Sequence, residues 1–371
     1  MTVKLRVIRN DGVKRARRRS PESARALPTI VHPIVEPLET VVAHSIEQLD
    51  RREWDALFPQ ELEDWRYLMA LERTRLAACE PVYFGIRSRG RLVAAVPAFV
   101  GRRTLTEARR VRGRSQWRGA ERALVLGSPF APSCPLGLTP RATVAEQTML
   151  VERLLRAARG ESVARGLDLL FVSGDDGVLG ARLSDESLGL VRTRCAPLAR
   201  LELPRWSLAD YLSCFDDGLR GQLLRICAQA TQYARDCHVD LARDLDPMLT
   251  LCRDAGLDEI GEAFFEGLLT SSAVPAACLF VRSGDGTLAG FSIVLHDEGA
   301  LREKLTVVKR RENGALVRGM LWLETLRFCL QRGIGVYESA SELALSAARP
   351  KELVQRSRWL ATDDPVGTAA P

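Results

Sequence analysis

LREKLTVVKRRENGALVRGMLWLETLRF, residues 301–328, changes character twice along its length. Leu301–Lys309 is rich in apolar and β-branched residues and reads as a strand. Arg310–Ala315 is charged and then small, which reads as a loop. From Leu316 the apolar residues recur at helical spacing, so a helix begins there. The first backbone N–H groups of a helix have no internal partner, and small residues such as Gly314 and Ala315 leave them open to an anion. Lys309, Arg310 and Arg311 place cations beside that point, suited to phosphate groups. The same pattern also serves an ordinary strand–turn–helix junction that uses glycine for its turn.

The surroundings give this unit a context. IGVYESAS (334–341) is a strand after the helix, and AACLFVRSGDGTLAGFSIVLHD (276–297) is a hairpin with an Asp285-Gly286 turn before it. IGEAFFEGLLTSS (260–272) is a helix that precedes the hairpin. The same order occurs earlier in the chain. SIEQLDRREWDALFP and EDWRYLMALERTRLAA are helices, PVYFGIRSRGRLVAAVPAFV is a hairpin, and ALVLGS is a strand. A Pro-rich loop, PFAPSCPLGLTP, leads to a long helix, ATVAEQTMLVERLLRAARGESVARG, and the strand LDLLFVSG. VRTRCAPLARLELP closes this half as one or two strands. Residues 207–242 form a helical connector that opens on a Ser207 cap. Hairpins require antiparallel pairs, so the expected class is α/β with mixed sheets.

The expected division is a basic tail and linker over 1–38, one half over 39–206, the connector and second half over 207–360, and a tail over 361–371. Residues 1–27 carry net charge +7, so the rest of the +6 chain is close to neutral. Such an arm either lies free in solvent or touches RNA or an anionic membrane. The cluster Arg102, Arg103, Arg109, Arg110, Arg112, Arg114, Arg118 and Arg122, with Trp117 inside it, is either a solvated loop or a nucleic-acid contact. The nine cysteines and four histidines are scattered, with no C-x-x-C pair, so no metal site is expected. No window is long and apolar enough to span a membrane, and the N-terminus lacks the apolar core of a signal peptide. The expected compartment is the cytoplasm.

Two repeated units of helices, hairpin, strand, loop, helix and strand resemble the GNAT acyltransferases, whose loop pattern is Q/R-x-x-G-x-G/A. The match here is Arg311-Glu312-Asn313-Gly314-Ala315, with Leu316 where the pattern has a final Gly or Ala. Two such units joined by a helical connector resemble the tandem FemAB-like and polysaccharide-biosynthesis enzymes, with Tyr211, Phe215, Arg220 and Arg225 similar to their connector segment. The resemblance implies an N-acyltransferase that uses acyl-CoA as cosubstrate, with Val308, Arg310, Arg311, Gly314 and Ala315 holding it. It implies no metal, a small-molecule, sugar or peptide acceptor, and Arg220 and Lys351 as substrate contacts. Acyl transfer to an amine needs a base on the strands flanking the cleft. Glu303, Tyr337 and Glu338 occupy such positions, where a strand-edge charge is otherwise structural. The first half has no matching loop, which implies acceptor recognition near Ser128 and Cys134. Two alternatives stay open: a tRNA-dependent aminoacyltransferase, for which tRNA is the partner, and a binding protein that kept the fold.

Overall fold

The computed structural model describes residues 34, 37–59, 61–74, 76, 79–102, 122–174, 190–204, 207–230, 233–236, 240–271, 274–309 and 313–361. The first half begins with strand β1 (Leu38–Ala43) and helices α1 (Arg51–Leu57) and α2 (Trp65–Arg73). Asp50 and Asp64 cap these helices by accepting N–H bonds from their first turns. The hairpin β2 (Glu80–Ser88) and β3 (Arg91–Arg102) follows, then β4 (Arg122–Leu126), the two-residue β5 (Gly137–Leu138), α3 (Val144–Ala164), β6 (Asp168–Gly174) and β7 (Val191–Glu202). The basic tail and most of the Arg-rich cluster lie outside the described residues; Arg102 and Arg122 are the members within them.

The connector consists of α4 (Leu208–Ser213), which Ser207 caps, and α5 (Asp217–Gln229). The second half runs β8 (Ala234–Asp236), α6 (Leu241–Ala255), α7 (Glu262–Leu269), β9 (Ala276–Arg282), β10 (Leu288–His296), β11 (Ala300–Val308), α8 (Gly314–Arg332), β12 (Val336–Ser339), α9 (Glu342–Ala347) and β13 (Leu353–Ala361). Helix α6 is not announced by the sequence because Pro247 sits inside it. Proline forfeits one helical hydrogen bond and normally breaks the pattern.

The strands form one mixed sheet in the order β1-β2-β3-β4-β6-β13-β7-β12-β11-β10-β9-β8, with β5 paired to β3. The strand VRTRCAPLARLELP, read in the sequence as closing the first half, does not close that half's sheet. Instead the closing strands are exchanged. β7 pairs antiparallel with β12 from Glu202↔Val336 to Ala199↔Ser339, inside the second half. β13 pairs antiparallel with β6 from Arg356↔Gly174 to Ala361↔Leu169, inside the first. The two exchanged strands then pair with each other.

Packing follows this exchange. In β13, Ser357, Trp359 and Ala361 alternate toward one buried face. Trp359 and Ala361 join the core between the strands of the first half and its helix α3, where Trp359 stacks on Phe171 with ring centroids 6.0 Å apart. A second core lies under α5, α8 and α9. The third is shared: Trp54 and Tyr67 from α1 and α2 join Phe264 and Phe265 of α7 and Phe291 of β10. Trp359→Ala is expected to cost about 3–5 kcal/mol, the usual range for deleting a buried aromatic. Urea denaturation read by amide exchange checks this, with α3 of the first half losing protection although the change lies near the C-terminus.

Candidate functional site

Each half contains one short parallel strand pair that parts. β11 and β12 pair only from Ala300↔Val336 to Arg302↔Glu338. β12 ends at Ser339 and the chain turns into α9, while β11 continues along β10 to Val308. From Glu303 onward, the β12 side of β11 has no strand partner among the described residues. In the first half, β4 and β6 pair from Ala123↔Asp168 to Val125↔Leu170. There the Pro-rich loop closes the parting: the Cys134 N–H donates to the Val172 carbonyl at 2.7 Å, and Arg356 Nη1 donates to the Pro132 carbonyl at 2.6 Å.

The helices that follow differ in the same sense. α3 starts with a Thr143–Glu146 capping box, which satisfies the Thr143 and Glu146 N–H groups and adds a negative charge. α8 starts at Asn313, which makes no side-chain cap and instead donates from Nδ2 to the Tyr233 hydroxyl at 3.0 Å. A Cβ on Gly314 would lie 3.1 Å from the Lys309 carbonyl oxygen, so a side chain fits poorly there. Lys309 and Ala315 are exposed beside this turn. Val308, half-buried, ends β11. Arg310 and Arg311 lie outside the described residues.

Glu303 spans the parting. Its Oε2 accepts hydrogen bonds from the Tyr337 hydroxyl at 3.0 Å and the Ser339 hydroxyl at 2.5 Å, both on β12. Its Oε1 accepts from Thr306, whose hydroxyl lies 2.8 Å from that of Ser292. Burial, and then the Glu303 carboxylate, push the Tyr337 phenol well above its ordinary value. Tyr337 therefore stays protonated and acts as a donor.

The opposite face of the same strands is ionic. Lys304, 3% exposed, donates to Glu63 Oε1 at 2.8 Å and to Ser128 Oγ at 3.3 Å. The Ser128 hydroxyl donates in turn to Glu63 Oε2. Arg302 reaches Glu338 at 2.7 Å, Glu61 at 3.0 Å and Glu63 at 3.4 Å, and Arg200 approaches Glu338 at 3.6 Å. Burial alone would raise the Glu63 carboxyl, but Lys304 and Arg302 more than offset it and hold Glu63 below the usual glutamate range. Removing one partner of such a buried pair typically costs about 3–5 kcal/mol.

Of the three residues read as catalytic, Glu303 and Tyr337 meet. Glu338 points to the other face and is held in ion pairs with Arg302 and Arg200. Arg220 on α5 bonds Asp217, and Lys351, in the turn before β13, donates to Glu202 at 3.0 Å. Ser128 belongs to the ionic network, and the Cys134 thiol, buried in the closed parting, is pushed up by burial. Ser339, Thr306, Lys304 and Glu63 went unmarked in the sequence. Lys304 alone left a trace, as a cation inside an apolar strand. No group of metal-ligating side chains and no helix able to cross a membrane is found among the described residues.

No protein-family model and no curated protein matches the sequence. Solved structures do match. A tandem GNAT protein from the clavulanic acid biosynthesis pathway is 16% identical, with 89% of this chain and 100% of that one covered and a TM-score of 0.56. FemX is 9% identical, with 86% of this chain and 96% of FemX covered and a TM-score of 0.50. The chain has the tandem GNAT fold.

The lowered Glu63 carboxyl carries a pH signature. Its stabilisation is complete above the ordinary glutamate value of 4.5 and is lost as pH falls through the lower folded-state value. Urea midpoints measured from pH 6 down to about 2 are expected to fall less steeply in Glu63→Gln than in the wild type.

Proposed function

We propose that this protein is an acyltransferase that binds acyl-CoA in the second half and transfers its acyl group to an amine or hydroxyl of a small metabolite, sugar or peptide precursor. One observation carries the reading: of the two strand partings, the second alone is left open among the described residues, and it joins an uncapped helix start to Glu303 and Tyr337. The residues fit the cosubstrate. The first turn of α8, with Gly314, Ala315 and the cation of Lys309, suits a pyrophosphate; Arg310 and Arg311 are assigned to the same role from their place in the loop. The free edge of β11 toward Val308 suits an extended, amide-bearing arm, which can bond a strand edge as another strand does.

Bound acyl-CoA supplies an activated thioester. The chain's own groups do the rest. Glu303 lies at the parting, where it receives the proton released by the attacking amine or hydroxyl. The Tyr337 and Ser339 hydroxyls fix Oε2 in place, so the carboxylate needs no reorientation when the acceptor arrives. Glu338, Arg220 and Lys351 have no part in this step. A CoA-linked donor places the activity in the cytoplasm.

Native mass spectrometry with a panel of acyl-CoA thioesters tests the donor. A one-to-one adduct is expected, weakened at least about tenfold by Gly314→Glu, which sets a carboxylate where the phosphates belong, and weakened also by Arg311→Ala. Co-purifying tRNA without any CoA adduct would replace acyl-CoA by an aminoacyl donor. Binding of neither removes the enzymatic reading. Glu303→Gln is expected to keep the adduct and lower the rate of transfer by about 10²–10⁴-fold, read by thiol release.

A further inference from the structure

Strand β11 carries a bulge at the residue next to Glu303. Its register with β10 runs Ile293↔Leu305 and then Val294↔Glu303, so Lys304 has no opposite residue on β10. Side chains alternate along a strand. An unbulged β11 would turn Leu301, Glu303, Leu305 and Val307 to one face. In the structure Leu301 lies with Tyr337 in the core under α8, whereas Leu305 and Val307 lie in the shared core beside α2 and α7. The bulge divides the strand and lets Glu303 face Tyr337.

The bulged residue is anchored by the other half of the chain. Three first-half groups surround the Lys304 ammonium: Glu63 at 2.8 Å, the Ser128 hydroxyl at 3.3 Å and the Tyr67 ring, whose centroid is 5.3 Å away. Arg302, the residue before Glu303, is tied to Glu61 and Glu63 of the same first-half segment. Glu303 is thus held on both sides by neighbours whose charges are met from across the shared core. A buried ammonium that loses its carboxylate either sheds its proton or leaves the core. If Lys304 leaves, the bulge has no anchor, and a one-residue slip exchanges the faces of Glu303 and its neighbours.

We propose that Glu63 of the first half is a positioning residue for Glu303 of the second: its ion pair with Lys304 fixes the β11 bulge that aims the Glu303 carboxylate into the strand parting. The kinetic arm of the test rests on the acyl-transfer reading; the structural arm does not. In the full-length protein, Glu63→Gln keeps a partner for Ser128 and removes the charge. The expected result is a kcat about 30-fold lower with the KM for acetyl-CoA within about twofold, since small displacements of a catalytic group cost rate more than binding. Amide exchange at residues 303–306 is expected to speed about tenfold while α8 keeps its protection.

The double variant Glu63→Gln/Lys304→Met removes both members of the buried pair, leaves Arg302 paired with Glu61 and Glu338, and guards against a single variant that fails to fold. It is expected to regain thermal stability yet keep the low kcat and the fast exchange at 303–306. If kcat returns together with stability, Glu63 serves stability alone and the proposal falls. Exchange that rises equally in β11 and α8 overturns it in the same way. Should the wild type transfer no acyl group from any thioester of the acyl-CoA panel, the acyl-transfer reading fails on its own. The exchange arm then still decides: a selective change at 303–306 supports positioning, and unchanged protection refutes it.

Discussion

Backbone hydrogen bonding between β7 and β13 leaves neither half able to close its own sheet. Among the described residues, the first half ends at an edge, β6, that β13 covers. The second half ends at β12, which β7 of the first half covers. Open strand edges are costly when buried, because every N–H and C=O along them needs a partner. The exchange meets that need for both halves at once. It also carries side chains across, so that Trp359 and Ala361 join a core whose other buried members all precede residue 172. The shared core between α1, α2, α6 and α7 depends on this joining, since it forms only where the two halves face each other.

The two halves have the same plan and have diverged at the same two places. Where β4 leaves β6, proline and a backbone bond from Cys134 occupy the gap, and the next helix caps itself with Thr143 and Glu146. Where β11 leaves β12, side-chain hydroxyls reach across to Glu303, and Asn313 makes no side-chain cap at the helix start. The difference is local chemistry on a common frame, which is why the fold by itself says little about which half works. The ionic network behind β11 adds a division of labour. The first half has its own parting closed by the Pro-rich loop but supplies carboxylates that a buried Lys304 and Arg302 require.

Much of the frame could be read from the chain. Hairpins at Arg89-Gly90 and Asp285-Gly286, the Ser207 cap and the strand–loop–helix at 301–328 all declare themselves by local rules of turn chemistry and periodicity. Glu303 and Tyr337 were legible for the same reason, each lying on a strand that flanks the loop. What could not be read is long-range. β13 has no signal that separates it from a surface tail, because its buried face is defined by Phe171 and α3, far away in sequence. The role of Glu63 depends on a contact with Lys304 that no local pattern encodes. Glu338 shows the converse: adjacent to Tyr337 in sequence, it lies on the opposite face because strand residues alternate.

The strand exchange also sets a schedule for biosynthesis. Synthesis runs from the N-terminus, and most multidomain chains fold each unit as it emerges. Here β6 is made well before its partner, β13, so its apolar edge around Leu170 and Phe171 stays unpaired while the connector and the rest of the second half are synthesised. Pairings between such distant segments are slow to form because the intervening loop must close first. A chain cut short just before residue 353 leaves both β6 and β7 without the strand that lies between them.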